Sequence, residues 1–282
     1  MVVHNYLPAV ASKLGLDYDA CAAVNGQIIH ASVSGYGAAD DEPGYDIIAS
    51  AEYGLTSCTG HAAPGVKPGV ALVDSMAGLN LACGILAKVV ERGEGRMTDG
   101  RVHASLARTC VAGLANVGHS ALNGGERRER YGNAHESIVP YQAFECGNGW
   151  MVIGAGTDGQ FEEFMGLIEV AILPRWRSNE GRVEDREALC GAIEAVMATK
   201  TAEEWTDKFR GTKFARGKVR EVNEALSCPK ISDMIHDMED GEGKTFRAFG
   251  SPIETDYDWG AGTFPPRLGQ HTDSVLREFH IK

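Results

Sequence analysis

The sequence contains no closely spaced pair of cysteines. Its seven, Cys21, Cys58, Cys83, Cys110, Cys146, Cys190 and Cys228, are dispersed and odd in number. That pattern argues against a disulfide frame and reads as reduced, core-packed thiols of a cytoplasmic protein. The tetrapeptide CTGH at Cys58–His61 lacks a companion pair, so no metal site is expected. Basic runs are scarce as well. The net charge is -12, and the longest Lys/Arg-rich run is ERRER, Glu126 to Arg130. This argues against nucleic acid or anionic membrane as the main partner, although a small anion could still meet a local basic site. The opening MVVHNYLPAV has no basic segment and is interrupted by Pro8, so no signal peptide is read there. Repeats and long low-complexity segments are lacking. Nor is there an uninterrupted apolar span: Val70–Val90 comes closest, but Asp74, Asn80 and Lys88 within it would be costly in lipid. A buried helix of a soluble protein is expected instead.

What is present is ordinary for a soluble globular chain: 282 residues, 43% hydrophobic and 23% charged. That is enough for one large or two modest domains with a real core. VVH at the start reads as a strand, followed by helical patterns over 7–14 and 17–25. Ile28–Val33 is a buried-strand run closed by Ser34, Gly35 and Gly37. A helix entered through Pro43 and Gly44 ends near Gly54, and a long apolar helix spans about 74–92. A strand at Arg101–Ala104 and one helix to about Leu122 come next, then a polar, Gly-rich passage from Asn123 to Ser137 that reads as a linker or active-site loop. From about Pro140 the composition changes. A strand, a turn and an amphipathic helix in GWMVIGAGTDGQFEEFMGLI precede helices near 182–198 and 201–209, and a last helix covers 272–279. Strands alternating with helices resemble an open α/β sheet, in which ligands gather at the carboxyl ends of strands.

Asp74 stands at the mouth of the most apolar helix, and two readings fit it. A carboxylate at a helix start accepts bonds from the free N–H groups of the first turn, which makes an N-cap. The same placement, flanked by Val73 and Met76 with glycines on either side, partly desolvates a carboxylate and opens the backbone to a ligand. Such a group can attack an activated acyl carbon through a mixed anhydride. Spacing does not separate the two.

Six segments, taken in order, resemble the family III CoA-transferases, which include formyl-CoA and carnitine CoA-transferases and the related α-methylacyl-CoA racemase. They are NYLPAVASKLGLDYDA, IIHASVSGYG, EPGYDIIASAEYGLTSCTG, GVALVDSMAGLNLACGILAKVVER, YGNAHESIVPYQAFECGNGWMVIGAG and PPRLGQHTDSVLREF. Together they run from the first residues to the last helix. The resemblance implies an α/β fold: a Rossmann-like large domain, lacking its N-terminal part, from 1–130 and again from 226–282, with a smaller α+β domain at 131–225. It implies a homodimer of interlocked rings.

By the same resemblance Asp74 falls on the nucleophile and Asp46 on an acidic position beside it, as the two catalytic residues. Asn5, Tyr6, Lys13, Leu14 and Tyr45 fall on positions around coenzyme A, and Gly132, Asn133 and His135 on a glycine-containing loop that covers the site. The implied substrates are an acyl-CoA and a carboxylic acid, with no permanently bound cofactor. Departures accompany the match. Tyr45 stands where the racemases carry a histidine, which tells against racemase activity. Ala9 replaces a glycine and Glu42 a basic residue. Family members also carry a preceding region with the first strands, so the chain reads as a fragment or as a subunit completed by another polypeptide. The rival functions are an acyl-CoA isomerase using Asp74 in proton transfer, and an acyl-CoA-binding subunit without activity alone.

Overall fold

A computed structural model describes residues 1–125, 130–240, 242–256 and 262–280. Of the ERRER run, only Arg130 lies among the described residues, and the 123–137 loop is described on either side of 126–129. Three parallel strands, β1 (Val2–His4), β2 (His30–Ser34) and β3 (Arg101–Ser105), form a sheet in the order β1-β2-β3. Between β1 and β2 run the helices α1 (Pro8–Lys13) and α2 (Tyr18–Val24). Asp17 caps α2 by accepting from Ala20 N at 2.9 Å, and Asp41 reaches back to Ala9 N at 2.8 Å in the first turn of α1. Between β2 and β3 come α3 (Asp46–Glu52), α4 (Leu55–Cys58) and α5 (Leu72–Gly93).

The sheet obeys the two-residue period of strands. Ala31, Val33, Val102 and Ala104 pack against Leu81 and Ile85 of α5. The opposite face is polar: the cross-strand row is His4, Ser32 and His103, with His30 and Ser34 beside it. Ser34 Oγ donates to Gly37 O at 2.7 Å, so it must accept from His103 Nε2 at 3.2 Å. In the neutral imidazole Nδ1 then accepts from Ser32 Oγ at 3.0 Å. His30 Nε2 donates to Leu16 O at 2.8 Å and lies 3.3 Å from His4 Nε2.

After β3 the expected single helix is two: α6 (Leu106–Gly113) and α7 (Ala115–Leu122). The break falls at Ala115, whose φ of 45° is left-handed and leaves the helical region. A second core then forms from an antiparallel sheet, β4 (Tyr141–Cys146), β5 (Gly149–Gly154) and β6 (Ala215–Lys218), in the order β4-β5-β6. Around it lie α8 (Asp158–Leu167), α9 (Asn179–Glu184), α10 (Arg186–Met197) and α11 (Ala202–Lys208). Phe144, Ile153, Phe161, Phe164 and Leu189 are buried there, and so is Arg182. Each guanidinium nitrogen donates once, to Val139 O, Trp176 O and Asp158 Oδ1, at 2.7, 3.0 and 2.8 Å, and the group lies over the Phe161 ring. The tail carries α12 (Val222–Leu226), the hairpin β7 (Ile235–Glu239) and β8 (Thr245–Phe249), and α13 (Thr272–Glu278). No described residue beyond Phe214 is buried.

Contrary to the expectation of a buried helix, α5 is covered on one side only. Val73, Ala77 and Leu81 face the core, while Leu72, Leu79, Leu86 and Val90 are exposed along the other face. The physical reason is that the sheet and α6 lie on one side, and nothing among the described residues packs on the other.

Burial pushes the His4 and His103 imidazoles below the ordinary histidine value, with positive neighbours adding to it, His30 for His4 and Arg108 then His4 for His103. A depressed histidine favours the neutral folded form, so its stabilising contribution is complete above about pH 6.5 and is lost as the pH falls below it. Urea unfolding should therefore show lower stability at pH 5.5 than at pH 7.5, with a smaller drop in His103→Asn. Equal stability of the native protein at both values would refute this.

Candidate active site

Asp46 is the first residue of α3, and the chain is steered there by two glycines. A Cβ on Gly44 would lie 2.3 Å from Gly35 Cα, and one on Gly35 would lie 2.6 Å from Gly44 Cα. Only glycine backbones pass this closely. The crossing ties the end of β2 to the start of α3, and Gly35 O also accepts from Ala107 N of α6 at 2.9 Å.

The start of α5 explains Asp74. The helix begins at Leu72 after Ala71, which offers no side-chain cap, so Asp74 is the third helical residue. This corrects the cap reading. The cap comes from elsewhere in the chain: Asp46 Oδ2 accepts from Val73 N at 2.8 Å and from Asp74 N at 3.4 Å. A buried carboxylate there satisfies free N–H groups and meets the positive end of the helix dipole. Asp74 is thereby released from capping. Its side chain is exposed, and no described residue hydrogen-bonds its carboxylate. Partial burial, then the charge of Asp46, push the Asp74 carboxyl above its ordinary value, and Lys67 acts against them. The result is a free carboxylate of raised basicity, suited to nucleophilic attack.

Lys67 was not singled out from the sequence. Its Nζ donates to Pro68 O at 2.9 Å and Val70 O at 3.3 Å, and lies 3.6 Å from Asp46 Oδ1. A signal for it existed: Lys67 is the only charged residue between Glu52 and Asp74.

The other expected residues lie around this pair to different degrees. Tyr45 adjoins Asp46 at the α3 N-cap position and is exposed. Asn5, Tyr6, Lys13 and Leu14 form an exposed group between β1 and the end of α1, with the Tyr6 ring stacked on His4. Tyr6 also lines a cavity of about 210 Å3 over the polar sheet face, with Tyr18, His30 and Ser32. Gly132 pairs with Gly60, donating to its carbonyl at 3.2 Å, and its φ of 63° is left-handed. The His61 ring fills the space where a Cβ would stand, 1.7 Å away. Gly132 and His135 line a larger cavity of about 900 Å3 with Ser57, His61, Arg130 and Glu136. Neither Asp46 nor Asp74 lines it. Asn133 is exposed and accepts from Ala143 N at 3.0 Å, and His135 Nδ1 accepts from Ser137 N at 3.1 Å. The two aspartates are brought together; Gly132 and His135 line one cavity and Tyr6 another, and neither aspartate lines either.

Comparison with known proteins gives a consistent picture. The family described as CoA-transferase family III matches residues 1–272. An acyl-CoA transferase of Fusarium pseudograminearum is 37% identical over 290 residues, covering 99% of this chain and 63% of the relative. The succinyl-CoA:glutarate CoA-transferase of Mus musculus is 32% identical, covering 98% of this chain and 65% of its own length. The chain thus spans less than two thirds of these relatives. The crystal structure of a CaiB/BaiF family protein from Brucella suis superposes with a TM-score of 0.83 at 26% identity, over 98% of this chain and 74% of that one. A Mycobacterium tuberculosis protein with a TM-score of 0.84 and 23% identity, over 98% and 76%, shares the fold.

The division of labour between the two aspartates is open to test in denaturant. Asp46→Ala should lower the unfolding free energy by about 1–2 kcal/mol, the usual cost of a lost cap, whereas Asp74→Ala should stay within about 0.5 kcal/mol. The reverse order would return Asp74 to the role of cap.

Proposed function

The chain belongs to CoA-transferase family III, and from that footing we propose that it transfers coenzyme A from an acyl-CoA donor to a carboxylic acid through Asp74. The observation that carries the reading is the free Asp74 carboxylate in the first turn of α5, released by the Asp46 cap. In the first step an Asp74 oxygen attacks the thioester carbonyl carbon. A C–O bond forms, the C–S bond breaks, and coenzyme A leaves as thiolate. The thiolate then attacks the Asp74 carbonyl carbon of the mixed anhydride, releasing the donor carboxylate and leaving an aspartyl-CoA thioester. The acceptor carboxylate attacks that thioester and expels the thiolate. The thiolate attacks the acceptor's carbonyl carbon, giving the new acyl-CoA and regenerating Asp74. Each intermediate keeps the acyl group activated, which a carboxylate nucleophile permits.

The charged groups acting on Asp74 are Asp46 and Lys67, with no histidine among them. That favours acyl transfer over exchange of an α-proton. Relatives named for succinyl-CoA and glutarate support a dicarboxylic acid as acceptor. Coenzyme A thioester is a substrate in this scheme. The Asn5–Leu14 surface would receive part of it, the Gly132–His135 loop would screen the intermediates from water, and a cytoplasmic homodimer is the assembly that accompanies the reading.

The test is a screen of succinyl-CoA and other donors against dicarboxylic and monocarboxylic acceptors, with the intact protein. Asp74→Asn should cut exchange by roughly 10³-fold or more while leaving the thermal transition in place. An Asp74→Asn protein that exchanges coenzyme A at the native rate would overturn the proposal.

A further inference from the structure

We propose that Lys67 is a positioning residue that clasps the loop ahead of α5 and balances the Asp46 charge, so that Asp74 stays ionised and free to attack. The inference rests on the Asp74 reading above. Its geometry is independent of any ligand. The ammonium spends two of its bonds on Pro68 O and Val70 O, folding its own loop into the turn that delivers the chain to Leu72. Its charge is directed at Asp46 Oδ1, 3.6 Å away, an oxygen that is buried and has no hydrogen bond. An uncompensated carboxylate oxygen in that position would be expensive. The Asp46 side chain is 8% exposed against 36% for Lys67, so the cation reaches in from the rim while its carboxylate stays inside.

The groups facing this pair come from each neighbouring element. Asp74 faces Asp46 from α5, the buried Cys110 thiol lies within electrostatic reach from α6, and the Lys67 cation acts on Asp74 while lying 3.6 Å from Asp46 Oδ1. Two carboxylates therefore share one helix start. The helix dipole offsets part of their repulsion, and the Lys67 ammonium offsets more. Without the cation the Asp74 carboxyl holds its proton to higher pH, and a protonated carboxyl does not attack a thioester.

The test compares the pH profile of kcat/KM for the native protein, Lys67→Gln and Lys67→Arg. Lys67→Gln should move the acid limb to higher pH, so that its loss relative to native is greatest at the lowest pH measured and shrinks to within about threefold at pH 8.5. Lys67→Arg should restore the native limb. A Lys67→Gln profile lowered equally at every pH, or unchanged, would overturn the proposal. Mass spectrometry of the acyl adduct in the native protein keeps the two readings apart. An adduct on Asp74 with an unshifted Lys67→Gln profile removes only the role of Lys67, whereas no adduct on Asp74 removes the nucleophile itself.

Discussion

Two backbone N–H groups at the start of α5 end on a carboxylate that belongs to another helix. Asp46 Oδ2 takes the bonds from Val73 and Asp74 that a local cap would otherwise take. Helix starts need such an acceptor, and the nearby Asp74 would serve if nothing else did. Because Asp46 fills the role from inside the fold, Asp74 keeps its oxygens for other work. Its basicity is raised first by partial burial and then by the same capping carboxylate, which is the like charge beside it.

The parallel sheet and the helices packed on it support that one contact. The parallel strands end where Gly35 crosses Gly44, and the crossing leaves no room for a Cβ on either residue. α5 lies across β2 and β3 with Leu81 and Ile85 on the sheet, so its first turn is held at the strands' carboxyl ends. α6 joins the same core through Leu106 and Cys110, with Ala49 of α3 and Val73 of α5. Asp46 and Asp74 are thus fixed by packing on three helices and not by a flexible loop.

Much of this was legible in the sequence, for reasons that can be named. β2 and α5 carry clear apolar runs with glycines near their ends, and the structure places β1, β2, β3 and α5 within a few residues of expectation. Asp74 stood out because it opens the most apolar helix of the sequence, whereas Asp46 was marked only by the family resemblance. The capping partner was not legible, because it depends on a contact between residues 27 positions apart. Spacing within one helix left a local cap open, and the helix in fact starts at Leu72, two residues before the expected start at 74. The role of Lys67 was hidden for a similar reason: a lysine in a Gly/Pro loop is ordinarily solvated, and only the fold turns it toward Asp46. The break at Ala115 was invisible because alanine favours continuing a helix, and the tertiary course of the chain overrides that preference.

The account stands or falls on which aspartate carries the acyl group. The direct measurement is to incubate the intact protein with an acyl-CoA donor, trap with hydroxylamine, and map the modified peptide by mass spectrometry. The account predicts a hydroxamate on Asp74 and none on Asp46. A hydroxamate on Asp46, or an unmodified Asp74 in protein that is exchanging coenzyme A, would contradict it.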